Sequence, residues 1–363
     1  MTTVAVLGGG QLGRMLGLAG IPLGVDFRFL DPSDDAPASA VGHLVVGALG
    51  DERALAETAR GADVVTYEWE GVPSEAARLL AARHEVRPGA RSLEVSQDRL
   101  HEKESFRALG IATADFDTVD SREELEAASE RIGLPAVLKT RRGGYDGKGQ
   151  AVLRDPADVE TAWEQLGGVP LLLEGFVAFD RELSIVAVRD EHGTVGCWPL
   201  VENHHADGIL QRTIAPAPGA DARLHARADA IARSLLEELD HVGVLAVELF
   251  EVGGELLANE FAPRVHNSGH WTIEGAATSQ FENHVRAVLG WPLGDTQEMG
   301  PAVMINCIGQ MPDRAAVFTI EGAHLHDYGK APRPGRKLGH VTVTGGDADD
   351  VAARVRTLEA LLA

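Results

Sequence analysis

Along the first quarter of the chain, short apolar runs alternate with stretches in which apolar residues recur every three or four positions. The runs TVAVL (residues 3–7), VDFRFL (25–30) and ADVVTYE (62–68) are separated by residues 11–18, 51–60 and 73–83. A run apolar on both faces predicts a buried parallel strand, and the three-to-four spacing predicts an amphipathic helix. Residues 1–95 therefore predict an open parallel α/β sheet with right-handed crossovers. The pattern breaks at Arg87-Pro88-Gly89. A helix is predicted over 97–109 and a short strand near Phe116, and Ser121 with Glu124 has the spacing of a helix-capping box.

From Pro135 the texture changes to hairpins. PAVLK (135–139) and GQAVLR (149–154) flank a glycine-rich turn, and a helix follows over 156–166. Further strands are predicted at LLLEGFV (171–177), ELSIVAV (182–188), TVGCWPLV (194–201), GVLAVELFEV (243–252) and ELLANEF (255–261), with a long helix over 222–239. Ser279 and Glu282 cap another helix. Beyond Trp291-Pro292 lie a strand AVMINCI (302–308), a basic turn, a strand HVTVT (340–344) and a short last helix from Asp347. The expected division is an N-terminal α/β unit over 1–95, a central α+β unit over 96–294 with a small lobe at about 112–177, and a C-terminal unit over 295–363. No internal repeat is visible.

Length and composition agree with a globular chain of several units. The 363 residues are 44% hydrophobic and 24% charged, ordinary values for a well-filled core. The formal charge of −22 repels nucleic acid and anionic membranes over most of the surface. A phosphate site must therefore be built from local cations. Two segments supply them, Lys139 to Lys148 and the acid-free run Lys330 to Lys337. The two cysteines, Cys197 and Cys307, offer neither a disulfide framework nor a C-x-x-C metal spacing, which predicts a reducing compartment. The brief apolar run before Gly8 predicts no secretory leader, and no stretch has the length and composition of a membrane span. A soluble cytoplasmic protein is expected.

The densest chemistry lies in NEFAPRVHNSGH, residues 259–270, where a predicted strand leaves the core. A carboxylate (Glu260) beside an amide (Asn259) suits Mg²⁺, which takes hard oxygen ligands together with substrate phosphates. Arg264, four residues on, can grip a planar oxyanion through two parallel hydrogen bonds. Glu248 on the preceding strand can complete a pair of carboxylates at a triphosphate. Lys139, Arg142 and Lys148 around the turn GGYDGKGQ, Gly143 to Gln150, suggest a lid over polyphosphate. His205 and Asp207 follow a strand ending at Val201; a solvent-exposed histidine pair is the plain alternative. Glu68 and Glu70 stand at a strand end where α/β folds place ligands, or one of them caps the next helix. GGGQLG, Gly8 to Gly13, sits between strand and helix with Asp31 at the end of the second strand. It admits a nicotinamide or flavin dinucleotide, another ligand's phosphate, or a tight turn.

With these motifs assembled, the chain resembles the N5-carboxyaminoimidazole ribonucleotide synthetases of the ATP-grasp superfamily. The resemblance runs from GGGQLGRM through QDRLHEK, VLKTRRGGYDGKGQ, NHHADGI and NEFAPRVHNSGHWT to RPGRKLGHV, nearly the whole chain. It implies an ATP-grasp fold, the cofactors ATP and Mg²⁺, and carboxylation of aminoimidazole ribonucleotide by bicarbonate through carboxyphosphate. It implies nucleotide contacts at Arg99, Lys139, the loop Gly144, Tyr145, Asp146, Gly147, Lys148, Gly149 and Gln150, the hinge Glu174, Gly175, Phe176 and Val177, and at Glu182, His205, Asn259 and Glu260. Glu248 and Glu260 are the implied metal ligands. Arg264, His266 and Lys337 are the implied catalytic groups. The ribonucleotide is expected at Gly10, Gln11, Leu12, Glu68, Tyr145, His266, Asn267, Lys330, Arg336 and Lys337. The family often reads E-x-E-H where this chain has Glu68-Trp69-Glu70-Gly71, so the role of Glu68 stays open. A homodimer is implied by family habit. Three rivals remain at this point: another ATP-grasp ligase such as the formate-using ribonucleotide transformylase, a nicotinamide oxidoreductase, and a non-catalytic ATP-binding regulator.

Overall fold

The computed structural model describes residues 2–144 and 149–362. Tyr145, Asp146, Gly147 and Lys148, expected at the nucleotide, lie outside the described residues. The first apolar run forms β1 (Thr2–Leu7), and Val4 to Leu7 are all buried. It pairs in parallel with β2 (Val25–Asp31) on one side and β4 (Val64–Tyr67) on the other, and β3 (His43–Val46) flanks β2. The order β3-β2-β1-β4 reverses direction beside β1. Gly8 and Glu68 thus leave neighbouring strand ends at the switch point, the usual ligand position of such sheets.

A second sheet is antiparallel, with β5 (Phe116–Val119), β6 (Ala136–Thr140), β7 (Gln150–Leu153) and β8 (Leu171–Gly175) in the order β5-β8-β6-β7. It has its own core, in which Leu125 and Ala128 from one helix and Val159 and Ala162 from another pack on Leu138, Leu153 and Leu173. The third sheet is larger. It comprises β9 (Arg181–Arg189), β10 (Val195–Cys197), β11 (Val201–Ala206), β12 (Ile209–Ala215), β13 (Gly243–Val252), β14 (Glu255–Ala262), β15 (Ala302–Ile308), β16 (Ala323–Asp327) and β17 (Lys337–Thr344). The path is β14-β13-β9-β11-β12-β15-β17-β16, with β10 on β9. The strands expected of a C-terminal unit therefore continue the central sheet through the β12–β15 pairing. Helix Ala222–Glu238 covers it with Leu224, Ala228, Ala232 and Leu235, which recur every three or four residues.

Four local expectations change. The run 194–201 is two strands, because Pro199 has no N–H for the ladder and falls between β10 and β11. His205 is in a strand and not in a loop: β11 continues to Ala206 and turns at Asp207 (φ 51°) and Gly208 (φ 74°) into β12, which the polar spelling NHHADGI hid. A separate helix, Ala90–Ser96, precedes the one that starts at Arg99. The last helix is not short; it covers 15 residues, Ala348–Leu362, because Val351, Val355 and Leu358 lay one apolar stripe on β15 and β17.

Two buried histidines join the first unit to the large sheet. His284 Nδ1 accepts from Val244 N–H (3.1 Å), which leaves Nε2–H for the Thr66 hydroxyl (2.9 Å). His241 Nε2–H donates to Val244 O (3.0 Å), and Nδ1 takes Ser92 Oγ–H (2.9 Å). Burial holds both imidazoles neutral, pushed down to about 3. The unfolded chain then binds more protons than the folded one between pH 3 and 6.5, so stability falls as pH drops through that window. Each histidine adds a slope of at most about 1.4 kcal/mol per pH unit. His284→Gln should flatten the pH dependence of urea unfolding between pH 6.5 and 5; an unchanged slope would show that His284 does not carry it.

Candidate active site

The β13–β14 hairpin turns at Gly253 and Gly254, both with positive φ (57° and 80°), the backbone that a two-residue primed turn needs. Counted from that turn, Glu248 would stand opposite Asn259. A β-bulge between Glu248 and Leu249 shifts the register, so Glu248 stands opposite Glu260 and Asn259 is the extra residue. Successive strand residues ordinarily face opposite sides, and a bulge removes that restriction. Asn259 and Glu260 accordingly both line the same cleft as Glu248. Burial pushes the Glu248 carboxyl up to about 7, and Glu260 opposite adds to the shift. Two crowded carboxylates with an amide beside them are the hard-oxygen donors Mg²⁺ takes when substrate phosphates supply the rest. The residues present fit that ion.

The cleft is a cavity of about 990 Å³ between the three sheets. At one end Val137, Val152, Phe176 and Phe250 make apolar walls, and Phe250 stacks on Phe179 at 4.7 Å with ring planes 3° apart. Lys139 Nζ donates to Glu174 Oε2 (3.0 Å), and Arg99 Nη1 to Glu260 Oε2 (3.1 Å). Although burial opposes it, Lys139 and Lys103 hold the Glu174 carboxyl down at about 2. His205 Nδ1 lies 2.8 Å from Glu182 Oε2; burial lowers its proton affinity, but that carboxylate leaves the imidazole raised. Of the described cations expected around the glycine turn, Lys139 lines the cleft and Arg142 does not. Arg141 and Arg142 both bind Asp98, at 2.7 and 3.2 Å, and so anchor the lobe to helix Arg99–Ala108.

At the other end stand Arg264, His266, Asn267 and the basic turn. Arg264 Nε is hydrogen-bonded to Glu70, and Nη1 donates to Val265 O (2.9 Å). His266 Nδ1 accepts from Ser268 N–H (3.3 Å), which assigns the proton to Nε2, 3.3 Å from Glu248 Oε1. Burial first, and then Arg264, keep this imidazole neutral. The Asn267 amide is paired with Asn306 of β15 at 3.1 and 2.7 Å. Lys330 donates to Gln11, linking the basic turn to the first unit, and burial followed by Arg336 brings its ammonium down to about 8.

The structure separates Glu68 from Glu70. Glu68 accepts from Gly10 N (3.0 Å) and Gly13 N (3.1 Å), and Asp31 accepts from Gly9 N (2.9 Å). A side chain at Gly10 would come within 2.8 Å of the Glu68 carboxylate, which explains the glycine. The amides read as a dinucleotide cradle are thus filled by two carboxylates of the chain itself. Of the described residues expected at the site, only Gly10 and Gly149 are absent from the cavity wall. Asn306, Glu102 and Lys103 escaped the sequence reading. The last two were visible as charges inside QDRLHEK on a helix that must bury a face.

The first match to known families is the ribonucleotide synthetase preATP-grasp domain over residues 1–97, followed by the ATP-grasp domain over 104–281. A phosphoribosylaminoimidazole carboxylase C-terminal domain matches residues 302–354. An antiparallel lobe facing a larger sheet across a cleft with paired acids makes this an ATP-grasp ligase. The N5-carboxyaminoimidazole ribonucleotide synthase of Pseudomonas aeruginosa is 52% identical over 99% of both chains. The crystal structure of the synthetase from Thermus thermophilus is 56% identical, with a TM-score of 0.96 over 99% of this chain and 98% of that one. The Aspergillus clavatus enzyme, in complex with ADP and 5-aminoimidazole ribonucleotide, is 32% identical with a TM-score of 0.93 over 99% and 98%. The chain belongs to the N5-carboxyaminoimidazole ribonucleotide synthase family.

Proposed function

We propose that the cleft carries out ATP-dependent carboxylation of 5-aminoimidazole ribonucleotide, yielding N5-carboxyaminoimidazole ribonucleotide, ADP and phosphate for purine biosynthesis. The observation that carries this reading is one cavity with two unlike ends, joined where His266 Nε2 stands 3.3 Å from Glu248 Oε1. One end has apolar walls leading to Lys139, Arg99 and an acid pair; the other has Gln11, His266 and the cations of residues 330–337. The first suits a base and triphosphate, the second a ribonucleotide phosphate. The relatives bound to ADP and to the ribonucleotide support the assignment.

In this reading a bicarbonate oxygen attacks the γ-phosphorus and ADP leaves, forming carboxyphosphate. The exocyclic amine then attacks the carboxyl carbon, the C–O bond to phosphate breaks, and the amine loses a proton. We assign that proton to the departing phosphate, and His266 and Lys337 to the developing negative charge. Arg264, with Nε tied to Glu70, keeps its Nη edge for bicarbonate. Little covalent help is needed, because positioning and charge neutralisation lower such barriers. Glu248 and Glu260, with Asn259, would hold Mg²⁺, which when bound neutralises phosphate charge. The reading also places a homodimer in the cytoplasm, and light scattering checks the dimer.

The test follows oxygen. Oxygen-18 from labelled bicarbonate should appear in inorganic phosphate; unlabelled phosphate, with exchange into water excluded, would give the ATP to water or another acid. The internal filling of the GGGQLG amides argues against the nicotinamide alternative. Arg336→Ala should raise KM for the ribonucleotide by about ten- to a hundredfold, the loss of one charge-assisted contact, and leave KM for ATP near native. Equal rises in both would assign Arg336 a general electrostatic role.

A further inference from the structure

QDRLHEK contains a lysine that has no place in the reaction as described. Lys103 lies on helix Arg99–Ala108 with its side chain only 2% exposed. A buried ammonium persists when its three N–H bonds find acceptors. Its three are the Asn259 carbonyl (2.8 Å), Thr113 Oγ1 (3.1 Å) and Glu174 Oε2 (3.4 Å). They come from three places: the metal-binding end of β14, the entrance to the small lobe, and the end of β8 where the base-binding hinge begins. Glu174 Oε1 is buried and makes no hydrogen bond among the described residues. The Glu174 carboxylate is therefore located by Lys103 and Lys139.

We propose that Lys103 is a positioning residue for ATP, holding the hinge at a fixed distance from the metal-binding end of β14 and sharing Glu174 so that Lys139 keeps net charge for the phosphates. Two ammonium groups on one carboxylate leave one positive charge at the cleft. Without Lys103, Glu174 and Lys139 form a neutral pair, and the attraction of Lys139 for polyphosphate is cancelled at short range. Among the described residues the lysine has no contact with the ribonucleotide end, so its effect is confined to the nucleotide.

This inference rests on the ATP reading above, and the experiment separates their failures. Native enzyme must release ADP in a manner dependent on ribonucleotide and bicarbonate; if it does not, the functional reading fails. Given native turnover, Lys103→Met should weaken the Kd for ATP by about ten- to a hundredfold, the range for a charge-assisted contact, with KM for the ribonucleotide near native. Adding Glu174→Gln should restore much of the lost ATP affinity, because Lys139 is again uncompensated. A structural role alone gives no such rescue, since a second buried substitution adds its own damage. A native ATP Kd in Lys103→Met, or a double variant weaker than the single, would overturn the proposal. Should Lys103→Met not fold, Thr113→Val removes one acceptor and keeps the charge. Its ATP Kd should rise about two- to tenfold, and an unchanged value would be equally fatal.

Discussion

Glu260→Gln should fold as the native protein does and lose turnover almost completely. Among the described residues Glu260 meets Arg99 Nη1 at 3.1 Å and, by strand register, Glu248 directly opposite on the neighbouring strand. The substitution keeps the shape and one oxygen acceptor, so the β13–β14 ladder is untouched. It removes one of the two carboxylate charges that face Mg²⁺ and Arg99 in the loaded site. A metal that neutralises transferring phosphate contributes several kcal/mol to the barrier, and a fall in ADP release of about 10³-fold or more is expected for a loss of that size. The proton affinity of Glu248 should drop as well, because Glu260 helps to raise it. The check is ADP release across a Mg²⁺ titration, with thermal unfolding as the control. Near-native release at ordinary Mg²⁺ would remove Glu260 from the metal site.

Arg264→Lys should lower bicarbonate-dependent ADP release by about 10²–10³-fold, as losing one preorganised oxyanion donor does. The structure sharpens the reason. Glu70 takes Nε, and Nη1 also reaches the Val265 carbonyl, so the guanidinium is held from two sides at the cleft wall. Lysine cannot be held by Glu70 and present a planar fork at once. The loss should appear mainly in kcat, with the Kd for ATP unchanged, because Arg264 does not line the apolar end. A parallel loss of ATP affinity would place Arg264 at the nucleotide instead.

How much of this was legible depended on whether chemistry and periodicity coincided. β1, β2, β13 and β14 were readable because their apolar runs are long. The Glu248–Glu260 pairing followed from two adjacent strands, yet the bulge that makes it face to face leaves no mark in composition. β16 (AHLHD) and the end of β11 (NHHA) were missed because strands that serve a cleft carry polar residues, and alternation then looks like loop. GGGQLG satisfied a phosphate pattern, but the carboxylates that fill it come from Asp31 and Glu68, up to 58 residues away. Sequence spacing has no access to that. The Glu70–Arg264 bond, spanning 194 residues, is of the same kind.

The extra residue at Asn259 has a consequence for how this hairpin can vary. The glycine turn sets one parity for the residues nearest to it, and the bulge sets the other for Glu248 and Glu260. Deleting Asn259 would give a regular ladder in which Glu260 still meets Glu248 but the amide is lost from the cleft, and inserting a residue would enlarge the bulge or carry Glu260 past Glu248. Substitutions at Leu256 or Leu257 adjust packing by degrees, whereas a change in number removes the amide or displaces the acid. What is fixed in this stretch is a count, and the count holds even where the letters could differ.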